Sequence, residues 1–99
     1  MVEQFINVFK TYHDKEIYDT FMFGCCYWFA VILKERFQGE IYYLPIDNHF
    51  ITKINNEFYD ISGKIEPIEQ PILWTEFQKL EPKEALRIEY YCILKKDGI

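Results

Sequence analysis

The sequence predicts an α+β domain, in which a buried helix in the N-terminal half packs on a small antiparallel sheet with helices flanking it. Three observations carry this reading. Every residue from Cys25 to Leu33 is apolar, and no Pro or Gly interrupts before Phe37. The chain then changes to short runs rich in Ile, Tyr and Phe, broken by Pro45, Asn55-Asn56 and Gly63. Finally, 99 residues at 49% hydrophobic and 19% aromatic suffice for one domain, residues 1–99, with a core of its own.

The elements follow in order. Val2, Phe5, Ile6 and Phe9 fall at i, i+3, i+4 and i+7, one apolar face of a helix over about residues 2–12. His13 to Thr20 is polar and reads as a loop or short helical turn, with His13 at the surface. Gly24 punctuates the chain before the apolar run. A helix over 25–37 that is apolar all round is expected to be buried all round, meeting water only at Lys34, Glu35 and Arg36. Gln38-Gly39 ends it, with glycine suited to the C-cap. Glu40–Leu44 reads as a strand that stops at Pro45. Asn48–Ile54 and Glu57–Ile61 read as two more strands. Asn55-Asn56 between them suits a two-residue type I′ turn, because Asn tolerates the positive φ that both positions need. Ser62-Gly63 closes the third strand, and Pro67 and Pro71 mark an irregular connection. Trp74–Leu80 reads as a short helix. Pro82–Lys96 fits two patterns: Leu86, Ile88, Tyr90, Cys92 and Leu94 alternate as in a strand, whereas Leu86, Tyr90, Ile93 and Leu94 share a helical face. Pro82 at a first turn, followed by Glu84, favours helix.

Composition excludes several functions. Eleven Lys and Arg against sixteen Asp and Glu give a net charge of −5, the wrong sign for gripping a phosphate backbone, so no nucleic-acid partner is expected. Met1 to Phe5 does not begin a signal peptide, and the longest charge-free stretch, Thr20–Leu33, has 14 residues where a membrane helix needs about 20. No membrane association is expected, and the expected location is cytoplasmic. Cys25, Cys26 and Cys92 are odd in number and two are adjacent, so they do not make a disulfide framework. No CxxC or HxxxH spacing occurs, and neither a Gly-rich phosphate loop nor GxSxG is present, so neither a metal nor a cofactor is expected.

Cys26, His49 and Asp60 form the candidate catalytic set. Cys26 falls in the first turn of the apolar helix, where unsatisfied N–H groups and the positive helix end stabilise a thiolate. A two-residue turn at Asn55-Asn56 pairs Ile54 with Glu57, Lys53 with Phe58, Thr52 with Tyr59 and Ile51 with Asp60. Continued, that register pairs His49 with Ser62. His49, Ile51, Asp60 and Ser62 then share one sheet face, with Lys53 and Phe58 further along it. Asp60 becomes the diagonal neighbour of His49, within reach of an imidazole–carboxylate hydrogen bond. In that arrangement Cys26 attacks, His49 carries the proton and Asp60 fixes the imidazole tautomer. The Cys26 backbone N–H is the default oxyanion donor; Thr20–Phe23 or Asn48 could supply a second, and nothing in the sequence singles one out. Taken singly, each residue has an ordinary structural reading: a core thiol, a strand histidine, a turn-forming aspartate.

Gly24-Cys25-Cys26-Tyr27-Trp28-Phe29-Ala30, Glu40–Leu44, Asn48-His49-Phe50 and Phe58-Tyr59-Asp60-Ile61-Ser62-Gly63 together resemble small papain-like proteins of phage, prophage and mobile elements in low-GC bacteria. The Cys–His–Asp order is that of the wider group that includes NlpC/P60-like and transglutaminase-like folds. The likeness covers residues 20–63. It implies a papain-like cysteine peptidase core, with Cys26 as the family cysteine, Cys25 as a variable neighbour, and His49 and Asp60 as its partners. Two function classes follow. One is a thiol hydrolase or acyltransferase acting on an amide or peptide. The other is a non-catalytic protein-binding module on a reused peptidase scaffold, such as a phage-encoded inhibitor of a host defence complex. Its many Tyr and Phe residues suit it to a protein partner.

Overall fold

The structure, a computed structural model, describes residues 1–11 and 26–90. Helix α1 (Val2–Thr11) buries Val2 and Ile6 and lays Phe5 and Phe9 partly against the same core, the face expected from its spacing. Helix α2 (Cys26–Phe37) is the apolar run. It is not buried all round. Cys26, Phe29, Ala30 and Leu33 are inside, Tyr27, Val31 and Ile32 are half-buried, and Trp28 is 41% exposed. A single sheet layer covers one side of a helix and its neighbours cover only part of the rest, so an apolar composition does not by itself enclose the whole circumference.

The C-terminus of α2 departs from the expected cap. Gln38 takes the left-handed conformation, at φ 58°, and the Gly39 N–H bonds back to the Lys34 carbonyl at 3.2 Å. This is a Schellman closure with Gln38 in the place usually given to glycine. Gly39 is needed for room instead: a Cβ there would lie 2.8 Å from the Lys53 carbonyl oxygen and from the side chains of Thr52 and Ile54. The missing side chain lets the helix exit run directly against the neighbouring strand.

The sheet has five antiparallel strands where three were expected. They are β1 (Glu40–Leu44), β2 (His49–Ile54), β3 (Glu57–Asp60), β4 (Gly63–Ile65) and β5 (Ile72–Leu73), in the order β4-β3-β2-β1-β5. The two added strands are three and two residues long, too short to carry a periodicity. Neither carries a strand signal in the sequence, and tertiary pairing alone makes them strands. Asn55 and Asn56 both have positive φ, 52° and 68°, as a type I′ turn requires. The expected pairs Ile54–Glu57, Lys53–Phe58 and Thr52–Tyr59 are all present. The ladder stops there. After Asp60 the chain turns through Ile61-Ser62 and pairs Gly63 back to Asp60, so Ser62 sits in a turn and not opposite His49.

Alternation gives β2 two different faces. Phe50, Thr52 and Ile54 face α2, where the Phe50 ring meets Tyr27 at 5.1 Å and the Thr52 hydroxyl donates to the Ala30 carbonyl at 3.1 Å. On the other face, Lys53 lies over the rings of Tyr42 and Phe58, at 5.6 and 5.9 Å. Helix α2 divides the core. Cys26 and Ala30 pack with Tyr43, Phe50, Trp74 and Phe77, while Phe29 and Leu33 pack with Val2, Ile6, Ile54, Tyr59 and Ile61.

Helices α3 (Trp74–Leu80) and α4 (Pro82–Glu89) close the first of these clusters, with Pro82 at the start of α4 as expected. The helical reading of this segment holds through Glu89, but its inner face is Ala85 and Ile88, not the Leu86 and Tyr90 stripe; Leu86 is 66% and Tyr90 51% exposed. Small Ala85 allows α4 to approach α3 closely, which turns the longer side chains outward. The part of the Pro82–Lys96 reading beyond Tyr90, Cys92 included, lies outside the described residues, as do His13, Gly24 and Cys25.

Three substitutions test this account by urea unfolding. Gly39→Ala should lose about 1–3 kcal/mol by overpacking against the β2 backbone. Gln38→Gly should gain about 0.5–1 kcal/mol by relieving the left-handed backbone. Phe29→Ala should cost about 3–5 kcal/mol; a loss below about 1 kcal/mol would mean α2 is not central.

Candidate functional site

Cys26 is the first described residue of α2, His49 opens β2 and Asp60 closes β3. Because β2 and β3 are antiparallel, the start of one and the end of the other lie at the same end of the sheet. The His49 and Asp60 side chains are 13% and 6% exposed, and His49 Nε2 lies 2.9 Å from Asp60 Oδ2. The bond therefore forms even though the ladder does not reach Asp60, since a diagonal pair needs a shared face and not a continuous register.

Asp60 uses its two oxygens separately. Oδ1 accepts the Ser62 backbone N–H at 2.8 Å and the Ser62 hydroxyl, while Oδ2 holds His49. Turn formation and imidazole binding are thus compatible roles of one carboxylate. The register expected from the Asn55-Asn56 turn puts Ser62 opposite His49, but the turn-forming reading of Asp60 holds: Asp-x-Ser is the spacing of a side chain that caps its own turn.

Burial opposes ionisation of Asp60, but hydrogen bonds from His49 and Ser62 outweigh it and hold the carboxyl below its usual range. Burial likewise acts against a charged His49. The hydrogen bond to Asp60, the neighbouring Cys26 side chain and attraction to the Asp60 carboxylate overcome it and raise the imidazole to about 9. With Nε2 committed to Asp60, Nδ1 is the ring nitrogen open to Cys26. Among the described residues no hydrogen bond of ordinary geometry joins the thiol to the ring. The Cys26 side chain is near enough to the ring to contribute to its raised value. Cys26 itself is 8% exposed, in the same cluster as Tyr43 and Phe50.

The loop between β1 and β2 that delivers His49 is tied down at two points. The Glu69 carboxylate accepts the backbone N–H groups of Ile46 and Asp47, each at 2.9 Å. The Tyr43 hydroxyl donates to Asn48 Oδ1, and Asn48 is left-handed at φ 51°. Sequence reasoning missed both ties. Glu69 acts across 22 or more residues and carries no local signal, whereas a polar-tipped Tyr43 five residues before Asn48 could have suggested a strand-to-turn bond. Of the proposed oxyanion donors, Thr20–Phe23 lie outside the described residues.

Among the described residues no group of three or more His, Cys, Asp or Glu side chains could hold a metal ion, and no helix is long and apolar enough to cross a membrane.

Fold and site together define an α+β protein whose helix start and hairpin end converge on a thiol, an imidazole and a carboxylate. The family model described as phage YunG-like protein matches residues 2–93, and the chain belongs to that family. No curated protein and no solved structure matches it.

The raised His49 value has a defined sign. Its stabilising contribution is complete below the unfolded value of 6.5 and is lost as pH rises through about 9. Urea unfolding of the wild type should therefore lose about 2–3 kcal/mol between pH 6.5 and 9.5 from this group. The contribution of Asp60, whose folded value is depressed, is lost instead as pH falls below 3.8. An NMR titration of His49 checks the cause directly. Its midpoint should fall well below 9 in Asp60→Asn; an unchanged midpoint would show that Asp60 does not hold the proton.

Proposed function

We propose that the protein is a papain-like thiol hydrolase or acyltransferase that acts on an amide or peptide bond through Cys26, His49 and Asp60. The observation that carries this reading is the 2.9 Å bond from His49 Nε2 to an Asp60 carboxylate that is itself anchored by Ser62, with Cys26 at a helix start beside the same ring. The helix–strand–strand order of the three residues supports the papain-like comparison, as does the packing of α2 on an antiparallel sheet.

In this mechanism His49, raised to about 9, already carries both ring protons at neutral pH, and Cys26 reacts as the thiolate paired with it. The sulfur attacks the carbonyl carbon, and the imidazolium gives a proton to the departing amine. Asp60 holds the Nε2–H and so turns the Nδ1–H edge of the ring toward the sulfur. Water or a second amine then releases the acyl group, which separates hydrolysis from transfer. The depth of the site serves the same end, because an ion pair between sulfur and imidazole is stronger where water is excluded.

A second reading, a non-catalytic protein binder such as a phage-encoded inhibitor of a host defence complex, is favoured by a different observation. Ile46 is 84% exposed and Ile68 is fully so, on either side of the Glu69 clamp, and Trp28 is 41% exposed. Apolar side chains presented on a braced turn are what a protein partner would bury.

Thiol kinetics separate the two. In the catalytic reading, iodoacetamide at pH 7 alkylates Cys26 much faster than Cys25 or Cys92, as resolved by peptide mass mapping. Cys26→Ala and His49→Ala abolish activity with the fold intact. Asp60→Asn costs roughly one to two orders of magnitude less, and Cys25→Ala is nearly silent. Equal alkylation rates at all three cysteines, or full biological effect in Cys26→Ala, would leave the binding reading in place of the catalytic one.

A further inference from the structure

Acyl transfer to a thiol generates negative charge on the carbonyl oxygen, and the backbone N–H at a helix start supplies only one donor for it. We infer that the Asn48 side-chain amide is the second oxyanion donor, held in position by the Tyr43 hydroxyl. This inference rests on the catalytic reading given above and adds to it the group that stabilises the transition state.

Four observations converge on Asn48. It directly precedes His49, so its place is fixed relative to the imidazole that carries the proton. Its carboxamide is oriented: Tyr43, 2% exposed and packed in the same cluster as Cys26, donates its hydroxyl to Oδ1. Tyr43 pairs with Phe50 and shares with it the sheet face covered by α2, so this bond draws the amide toward the face on which Cys26 packs. With Oδ1 occupied, Nδ2 is left with two N–H donors and has no hydrogen-bond partner among the described residues. The backbone is also fixed. Asn48 is left-handed at φ 51°, a conformation that Asn tolerates better than most residues, and the Glu69 carboxylate clamps the two preceding N–H groups.

The chemistry fits the geometry. A hydrogen bond received at an amide oxygen polarises the amide and strengthens its N–H groups as donors. Donors already oriented before the reaction need little reorganisation when charge develops. Asn48 is exposed, so its donors are open to a molecule arriving from solvent.

The test uses two reactions of the same sulfur. With p-nitrophenyl acetate, the Cys26 thiolate paired with the His49 imidazolium bonds through Sγ to the acetyl carbon. The carbonyl electron pair moves onto oxygen, and collapse of that oxyanion expels p-nitrophenolate and leaves an S-acetyl thioester. Alkylation by iodoacetamide displaces iodide from a saturated carbon and forms no oxyanion. Asn48→Ala should therefore slow the p-nitrophenolate burst by about 10²- to 10³-fold and leave the alkylation rate of Cys26 within about twofold of wild type. Asn48→Asp, which keeps the shape and removes the donors, should lose at least as much acylation. Tyr43→Phe should give a smaller loss in acylation alone. An NMR titration of His49 in each variant reports whether the site is intact. A wild-type burst rate in Asn48→Ala overturns the assignment while leaving the catalytic reading standing. An equal fall in both reactions overturns it too, by showing a structural role. If wild-type Cys26 forms no thioester, the catalytic reading fails and this inference with it.

Discussion

The two-residue turn at Asn55-Asn56 sets the parity of the hairpin, and everything assembled at its far end depends on that parity. Side chains alternate across a sheet, so inserting one residue into the turn would send Asp60 to the face opposite His49. Both turn positions take positive φ, and Asn fills each of them at lower cost than a branched or bulky residue would. The 2.9 Å contact between His49 and Asp60 is thus governed by two residues that touch neither. The same parity places Phe50, Thr52 and Ile54 toward α2, so one turn both builds the core and sites the polar pair.

A buried carboxylate is tolerable only when its lone pairs are used. Asp60 satisfies both oxygens locally, with the Ser62 turn on one and His49 on the other. Thr52, fully buried in the middle of β2, meets the same requirement by donating to the helix carbonyl of Ala30. Among the described residues no buried side-chain nitrogen or oxygen lacks a partner. The Thr52–Ala30 bond crosses the seam between α2 and the sheet and opposes sliding of the helix, while the Asp60 bonds stay within the sheet end. The apolar contacts on either side supply most of the driving force but little register.

The turn before β2 is anchored from elsewhere in the fold. Tyr43 is held among Phe50, Trp74 and Phe77, with ring centroids at 4.9, 5.4 and 4.9 Å, and delivers its hydroxyl to Asn48 from that rigid base. Glu69 reaches the same turn from the long connection between β4 and β5. That connection runs from one edge of the sheet to the other, which makes the placement of His49 sensitive to chain far from it in sequence.

Local pattern was enough to place the long elements of this protein. A 3.6-residue repeat, an unbroken apolar run, a type I′ turn and prolines at element boundaries determined α1, α2, β1, the β2–β3 hairpin, α3 and the start of α4, and with them the meeting of His49 and Asp60. Those signals are short-range: they depend on backbone sterics and on which face of one element is apolar. Tertiary structure alone decided the rest. β4 and β5 are strands only because a neighbour offers them a ladder. Gly39 is required by the Lys53 carbonyl and not by its own φ, and Gln38 takes the strained position. Trp28 lies at the surface of an apolar helix, and Ala85 lies inside while Leu86 is outside, because burial depends on which side the neighbouring layer covers. The ties from Tyr43 to Asn48 and from Glu69 to Ile46 and Asp47 belong to the same class. A hydrogen bond across many residues leaves no periodicity in the sequence, since only folding brings its two ends together.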